Sequence, residues 1–208
     1  MGYNFFMRMR KKKWVKPFLD DEKDYLIDKI DLDHINKEIY LEIGMGMGDF
    51  IVESAKNNPD IFYIGLEKDE TCVARSIIKA KDNQLNNLKI MLDNADNIEE
   101  LFKEDCLSGI YLFFSDPWPK TRNHKKRLTY PTFLKKYYKI LKKDGFLIFK
   151  TDNDSFFLDT LEYINESDFI VVESTRDYHS IERNDILTGY ERKFKEEGKN
   201  INYLKLIK

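Results

Sequence analysis

The sequence predicts an α/β fold: a doubly wound, mostly parallel seven-stranded sheet with an antiparallel edge strand. Three observations carry this expectation. From residue 38 onward, short and nearly all-apolar runs alternate with amphipathic stretches, the pattern of parallel strands covered by helices on both faces. The first run ends in a glycine-rich turn, Glu42-Ile43-Gly44-Met45-Gly46-Met47-Gly48, and the second ends in an acid, Glu67. In doubly wound sheets ligands bind beyond the carboxyl ends of the strands, where these residues fall.

Taken in order, EIYLEIG reads as the first strand, followed by a helix through Phe50, Ile51 and Ala55. FYIGLE is the second strand, and Val73, Ala74, Ile77 and Ile78 recur behind it at helical spacing. LKIML, a short polar helix around Ile98, Leu101 and Phe102, and the strand GIYLFFS come next. Phe133, Leu134, Tyr137, Ile140 and Leu141 share one helical face, with Gly145 expected to stop that helix before the strand FLIFKT. A helix through Phe157, Leu161 and Ile164 precedes FIVVES and INYLKLI, two strands read with no helix between them and therefore expected to pair antiparallel at the edge.

A chain of 208 residues suits one domain, 1–208, with residues 1–37 as a basic N-terminal extension packed on the core or flexible beside it. With 42% hydrophobic and 35% charged residues and a mean hydropathy of -0.58, the composition is that of a soluble globular protein. No apolar run approaches the roughly 20 residues of a membrane span. The N-terminal stretch puts its apolar residues before its charges, the reverse of a secretory signal, so a cytoplasmic protein is expected. Cys72 and Cys106 stand far apart and His34, His124 and His179 are scattered, which suggests neither a disulfide framework nor a metal site.

The net charge of -2 hides two basic blocks: Arg8 to Lys16, and Lys120 to Arg127. A polyanion responds to local potential rather than to the total, so the second block, directly behind the rigid corner Asp116-Pro117-Trp118-Pro119, points to nucleic acid. A solvated loop is the plain alternative.

Glycines in the first loop let the backbone turn sharply and let a ligand approach without meeting a Cβ, and an acid such as Glu67 suits ribose hydroxyls. The spacing Gly-x-Gly-x-Gly departs from the Gly-x-Gly-x-x-Gly of dinucleotide sites. Glu42 opposes a pyrophosphate and favours a cationic ligand. The pattern Glu-x-Gly-x-Gly-x-Gly resembles the first motif of the Rossmann-like S-adenosyl-L-methionine methyltransferases, and Gly44, Gly46 and Gly48 are then cofactor-binding candidates. After the third strand, Asn94 can both donate to and accept from an adenine edge; capping the following helix is an equally natural role for it.

Ser115-Asp116-Pro117-Trp118-Pro119-Lys120, then Arg122, Lys125-Lys126-Arg127 and LTYPTFL, resembles the bacterial tRNA (guanine-N7-)-methyltransferase family, with FKTDN at 149–153 and TGYERKF at 188–194 in the expected order. The resemblance spans about residues 8–208. It implies a cofactor site of Glu42, Glu67, Asn94 and Asp116; guanine N7 has no proton to lose, so Asp116 is the catalytic candidate as a fixed carboxylate that orients the base and stabilises the positive charge forming on it. It implies substrate contacts from Lys120, Asp152 and Thr188 to Glu191, and RNA contacts from Arg122, Asn123, His124, Lys125, Lys126 and Arg127. It also implies S-adenosyl-L-methionine as cofactor and tRNA as partner through its variable-loop guanine; the scarcity of soft ligands argues for no metal, and the residues leave monomer or homodimer open. Two departures stand out: Met47 where many members carry lysine in the loop, and Asn94 where an acid is usual. For Asp152 a helix cap is the alternative role, and Thr-x-x-Glu at 188–191 is also a plain capping box.

Three further readings compete. A corner of the Asp-Pro-Pro-Tyr type would methylate an exocyclic amine; a vestigial glycine loop would leave a non-catalytic RNA-binding module. A nicotinamide dehydrogenase is disfavoured by the glycine spacing and Glu42.

Overall fold

The computed structural model describes residues 12–183 and 185–208. The basic residues Arg8, Arg10 and Lys11 lie outside them; Lys12, Lys13 and Lys16 are exposed. The strands are β1 (Glu38–Ile43), β2 (Ile61–Glu67), β3 (Leu88–Leu92), β4 (Leu107–Phe113), β5 (Leu141–Thr151), β6 (Ile170–Thr175) and β7 (Asn202–Ile207). The helices are α1 (Val15–Asp21), α2 (Asp49–Asn57), α3 (Glu70–Asp82), α4 (Ile98–Leu101), α5 (Pro131–Ile140), α6 (Asp154–Asn165) and α7 (Gly189–Glu196).

One sheet of seven strands runs β3-β2-β1-β4-β5-β7-β6. Pairing is parallel from β3 through β5, and antiparallel pairing is confined to the far end, where β7 slots between β5 and β6. The order reverses between β1 and β4, which opens a crevice at their carboxyl ends. Alternation along each strand divides the core in two. Leu41, Ile64, Ile110, Leu112 and Phe149 pack under α4, α5 and α6 through Ile98, Phe133, Tyr137 and Phe157. Tyr63, Leu88 and Ile90 pack under α1, α2 and α3 through Leu19, Ile51 and Ile77. The N-terminal segment is tied to this second layer: α1 buries Val15 and Leu19, and the Ile27 amide donates to the Ile90 carbonyl at 2.9 Å.

Two local readings are corrected. Gly145 does not stop α5; the helix ends at Ile140 because Leu141 already pairs with Leu107 in the sheet, and β5 absorbs the irregularity at Asp144 (φ 63°) before Phe146 resumes pairing with Gly109. A helix, α7, does lie between β6 and β7, started by a capping box in which the Glu191 amide donates to Thr188 Oγ1 at 3.0 Å and the Thr188 amide donates to Glu191 Oε2 at 2.8 Å.

Candidate active site

The glycine loop turns β1 into α2 with Gly44, Gly46 and Gly48 all at positive φ. At Gly48 (φ +73°) a Cβ would lie 2.7 Å from Ser76 Cβ, so the absence of a side chain lets α2 start against α3. Gly48 is buried, and helix packing explains it; Gly44 and Gly46 are the accessible glycines of the loop. The Glu67 carboxylate locks loop to strand: Oε2 accepts from the Gly46 amide at 3.1 Å, and Oε1 from the amides of Lys68 at 2.8 Å and Asp69 at 2.9 Å.

Glu42 stands behind this loop, 4% exposed, and its Oε2 has no hydrogen-bond partner among the described residues. Burial, with the charges of Glu67 and Asp49, pushes its carboxyl well above the ordinary range, against the opposing pull of the Ile51 amide. Met47, where the resemblance leads to lysine, is exposed, and Lys79 of α3 donates through Nζ to the Met47 carbonyl at 2.9 Å and pairs with Asp49.

The ends of β1 to β4 meet in a cavity of about 650 Å³ bordered by Gly44, Glu67, Asn94, Ser115, Asp116 and Trp118. The capping role of Asn94 is present, for its Oδ1 accepts from the Asp96 amide at 3.3 Å and its Nδ2 donates to Asp96 Oδ2 at 2.7 Å, and the exposed residue borders the cavity. Asp116 is half-buried, and burial raises its carboxyl above the ordinary value of 3.8, with Lys68 opposing. Beside it the Ser115 hydroxyl is buried without a partner among the described residues. Phe114 (φ 51°) and Trp118 (φ 42°) flank the corner in the left-handed region, a strain that persists only where the surroundings hold it. The Lys126 ammonium lies 4.8 Å from the Trp118 ring centroid.

Of the other expected site residues, Lys125 and Lys126 border this cavity. Lys120 and Asp152 are exposed; the cap of α6 is Asn153, which accepts from the Phe156 amide at 2.8 Å, so helix capping does not account for Asp152. Thr188 and Glu191 are buried in the α7 cap, and the Glu191 carboxylate also pairs with Lys150 Nζ at 2.6 Å. The α7 end nevertheless reaches the corner, for Tyr190 stacks on Phe114 with centroids 6.0 Å apart. Arg122, Lys125 and Lys126 are exposed, and Asn123 and His124 half-buried.

Arg127 does not fit its expected place among the RNA contacts. Its side chain is 2% exposed, and its guanidinium is spent on the Pro117 carbonyl and on Asp159. Sequence reasoning also passed over the Ser115 hydroxyl and Lys150; a lysine inside the apolar run FLIFKT was the available signal of a paired buried charge. A second hollow of about 930 Å³ lies on the α2 side of the sheet, bordered by Asp49, Glu53, Tyr111, Lys150, Tyr178 and Arg192. It gathers none of the strand-end residues Glu67, Asn94 and Asp116.

Solved structures of low identity share this fold. They include an antibiotic-related methyltransferase (TM-score 0.62, 16% identity, covering 88% of this chain and 96% of that one) and the 16S rRNA methyltransferase KamB (TM-score 0.63, 13% identity, 87% and 94%). A family profile described as a putative methyltransferase matches residues 36–204. Strand order, glycine loop and strand-end carboxylates thus define a methyltransferase of the doubly wound class. Among relatives, the tRNA (guanine-N(7)-)-methyltransferase of Mycoplasmopsis agalactiae is 46% identical over 82% of this chain and 83% of its own length. That of Mesoplasma florum is 43% identical over 95% and 97%, and that of Staphylococcus aureus strain Newman 41% over 94% and 95%. The chain belongs to the tRNA (guanine-N(7)-)-methyltransferase family.

Proposed function

We propose that this protein transfers a methyl group from S-adenosyl-L-methionine to N7 of a guanine in tRNA, the variable-loop guanine, in the cytoplasm. The observation that carries the reading is the convergence of Glu67, Asn94 and Asp116 from three successive strand ends on one cavity, with the unpartnered carboxylate oxygen of Glu42 behind the adjoining glycine loop. The donor set suits this cofactor. Glu67 accepts from hydroxyls, the Asn94 amide pairs with an adenine edge, and the acidic ground around Glu42 favours the ligand's positive charge.

When bound, the cofactor supplies an electrophilic methyl group on a sulfonium. Guanine N7 carries an in-plane lone pair and no proton, so the chain needs no obligatory general base. The Asp116 carboxylate, held at the rigid corner, accepts from the base's N–H donors and stabilises the positive charge that develops on the purine. Half-burial strengthens that interaction by excluding water. Trp118 shapes the base pocket, while the exposed Lys120 and Asp152 are assigned to the substrate. Arg122, Lys125 and Lys126 hold the phosphates, which offsets the few kcal/mol needed to draw a base out of its stack.

Incubating unmodified tRNA transcripts with labelled S-adenosyl-L-methionine and mapping the product tests the reading. Label appearing as 7-methylguanine in the variable loop supports it; label on an exocyclic amine, or none, overturns it.

A further inference from the structure

We propose that Arg127 is a positioning residue for the reaction: with Asp159 it clamps the backbone of the Asp-Pro-Trp-Pro corner and so fixes the Asp116 carboxylate, instead of binding RNA phosphate. Arg127 Nε donates to the Pro117 carbonyl at 2.7 Å and Nη1 to Asp159 Oδ2 at 2.5 Å. The guanidinium carbon sits 5.0 Å from the Phe156 ring centroid, and the Tyr163 hydroxyl stands 3.4 Å from Nη1. The backbone of Arg127 is fixed as well: its amide donates to the His124 carbonyl at 2.9 Å and its carbonyl accepts from the Tyr130 amide at 3.0 Å. One side chain therefore joins the corner to α6, while its own residue joins the basic turn to α5.

The corner needs such a clamp. Pro117 and Pro119 have no amide to donate, and Phe114 and Trp118 bracket Asp116 at positive φ. Strained backbone persists where neighbouring contacts over-determine it, and the bond from Arg127 falls on the carbonyl of Pro117, the residue between Asp116 and the strained Trp118. Arginine suits the task because its planar fork serves two acceptors at once, whereas lysine is a point charge. Asp159 keeps the buried cation paired. A guanidinium committed in this way cannot also meet a phosphate.

The inference rests on Asp116 acting in turnover, so Asp116→Asn is measured alongside Arg127→Lys and Asp159→Asn in the full chain with tRNA and S-adenosyl-L-methionine. For Arg127→Lys, kcat per folded molecule is expected to fall about 10- to 100-fold, the scale of a small misplacement of a reacting group. KM for tRNA and the salt slope of tRNA affinity are expected to stay near the parental values, and Asp159→Asn to follow in the same direction. A salt slope reduced by about one phosphate contact in Arg127→Lys makes it an RNA ligand and overturns the inference. A lowered Tm with parental kcat in both variants reduces the clamp to a structural role and overturns it too. If Arg127→Lys does not fold, the near-isosteric Asp159→Asn decides by the same kcat and slope criteria. Parental turnover by Asp116→Asn would instead refute the role of Asp116 itself; a dead Asp116→Asn beside a fully active Arg127→Lys refutes the clamp alone.

Discussion

Lys150 and Glu191 form an ion pair at 2.6 Å between β5 and α7, with side chains 2% and 0% exposed. Lys150 has a second anion, Asp185 Oδ2 at 3.1 Å, and its ammonium lies 4.1 Å from the Tyr178 ring centroid. Removing one partner of a buried pair leaves the other charge uncompensated, at a cost of about 3–5 kcal/mol. Since Lys150 keeps Asp185 when Glu191 is lost, Lys150→Met is expected to destabilise more than Glu191→Gln, and Lys150→Met with Glu191→Leu less than Lys150→Met alone. Urea unfolding of the three variants checks the order; a loss below about 1 kcal/mol for Lys150→Met would show the pair to be solvated.

Glu42 is expected to reduce stability at neutral pH. Its folded-state carboxyl is raised by burial and by Glu67 and Asp49, so its contribution is fully present below the unfolded value of about 4.3 and is lost as pH rises through the folded value. Glu42→Gln removes the charge. The gain in Tm over the parent should be near zero at about pH 4 and grow toward neutrality, by roughly 2–4 °C for each kcal/mol in a chain of this size. The same variant should show a smaller Tm increase on adding S-adenosyl-L-methionine, because the cation's counter-charge has gone. A pH-independent effect of the substitution would place Glu42 in a solvated or paired setting.

Much of this site was legible because it depends on strand ends. Apolar runs located the strands, and whatever follows a strand in a doubly wound sheet faces the crevice, so Glu67, Asn94 and Asp116 could be grouped before their distances were known. What escaped depends on tertiary partners. Arg127 reads as one more cation in a basic run, and only the packing of α6 brings Asp159 across to neutralise it. Leu141 continues the apolar face of α5 in sequence, yet sheet pairing with Leu107 wins. The charged helix α7 is short, with Phe194 its buried apolar residue, and its capping box and the Tyr190–Phe194 spacing are brief signals between two strands.

Asp116→Asn preserves the shape of the corner and removes its charge. Since the target nitrogen has no proton to lose, the loss should appear in turnover, by about 10²- to 10³-fold as for other preorganised electrostatic groups, with cofactor binding retained. Burial displaces the Asp116 carboxyl upward from 3.8, so the acid limb of kcat should lie above the range of a free aspartate. As pH falls through the raised value the carboxylate is protonated and its stabilisation of the purine cation disappears. The limb should be absent from the residual activity of the Asn variant. An Asn variant with parental kcat would remove Asp116 from the chemistry, and one with a parental acid limb would assign that limb to another group.

Lys125 and Lys126 are exposed on the helical turn behind the corner. Each phosphate neutralised by a protein cation releases condensed counterions, and the logarithm of affinity falls with the logarithm of salt by about 0.7 to 0.9 per contact. Replacing both lysines by alanine should therefore weaken tRNA binding at low salt and flatten the slope by roughly 1.4 to 1.8. Lys126 also lies over Trp118, so its variant should carry an additional loss that salt does not screen, visible as a residual affinity difference at the highest salt. Titrations of labelled tRNA at four or five salt concentrations separate the two effects. An unchanged slope in the double variant would move the RNA-binding surface away from this turn.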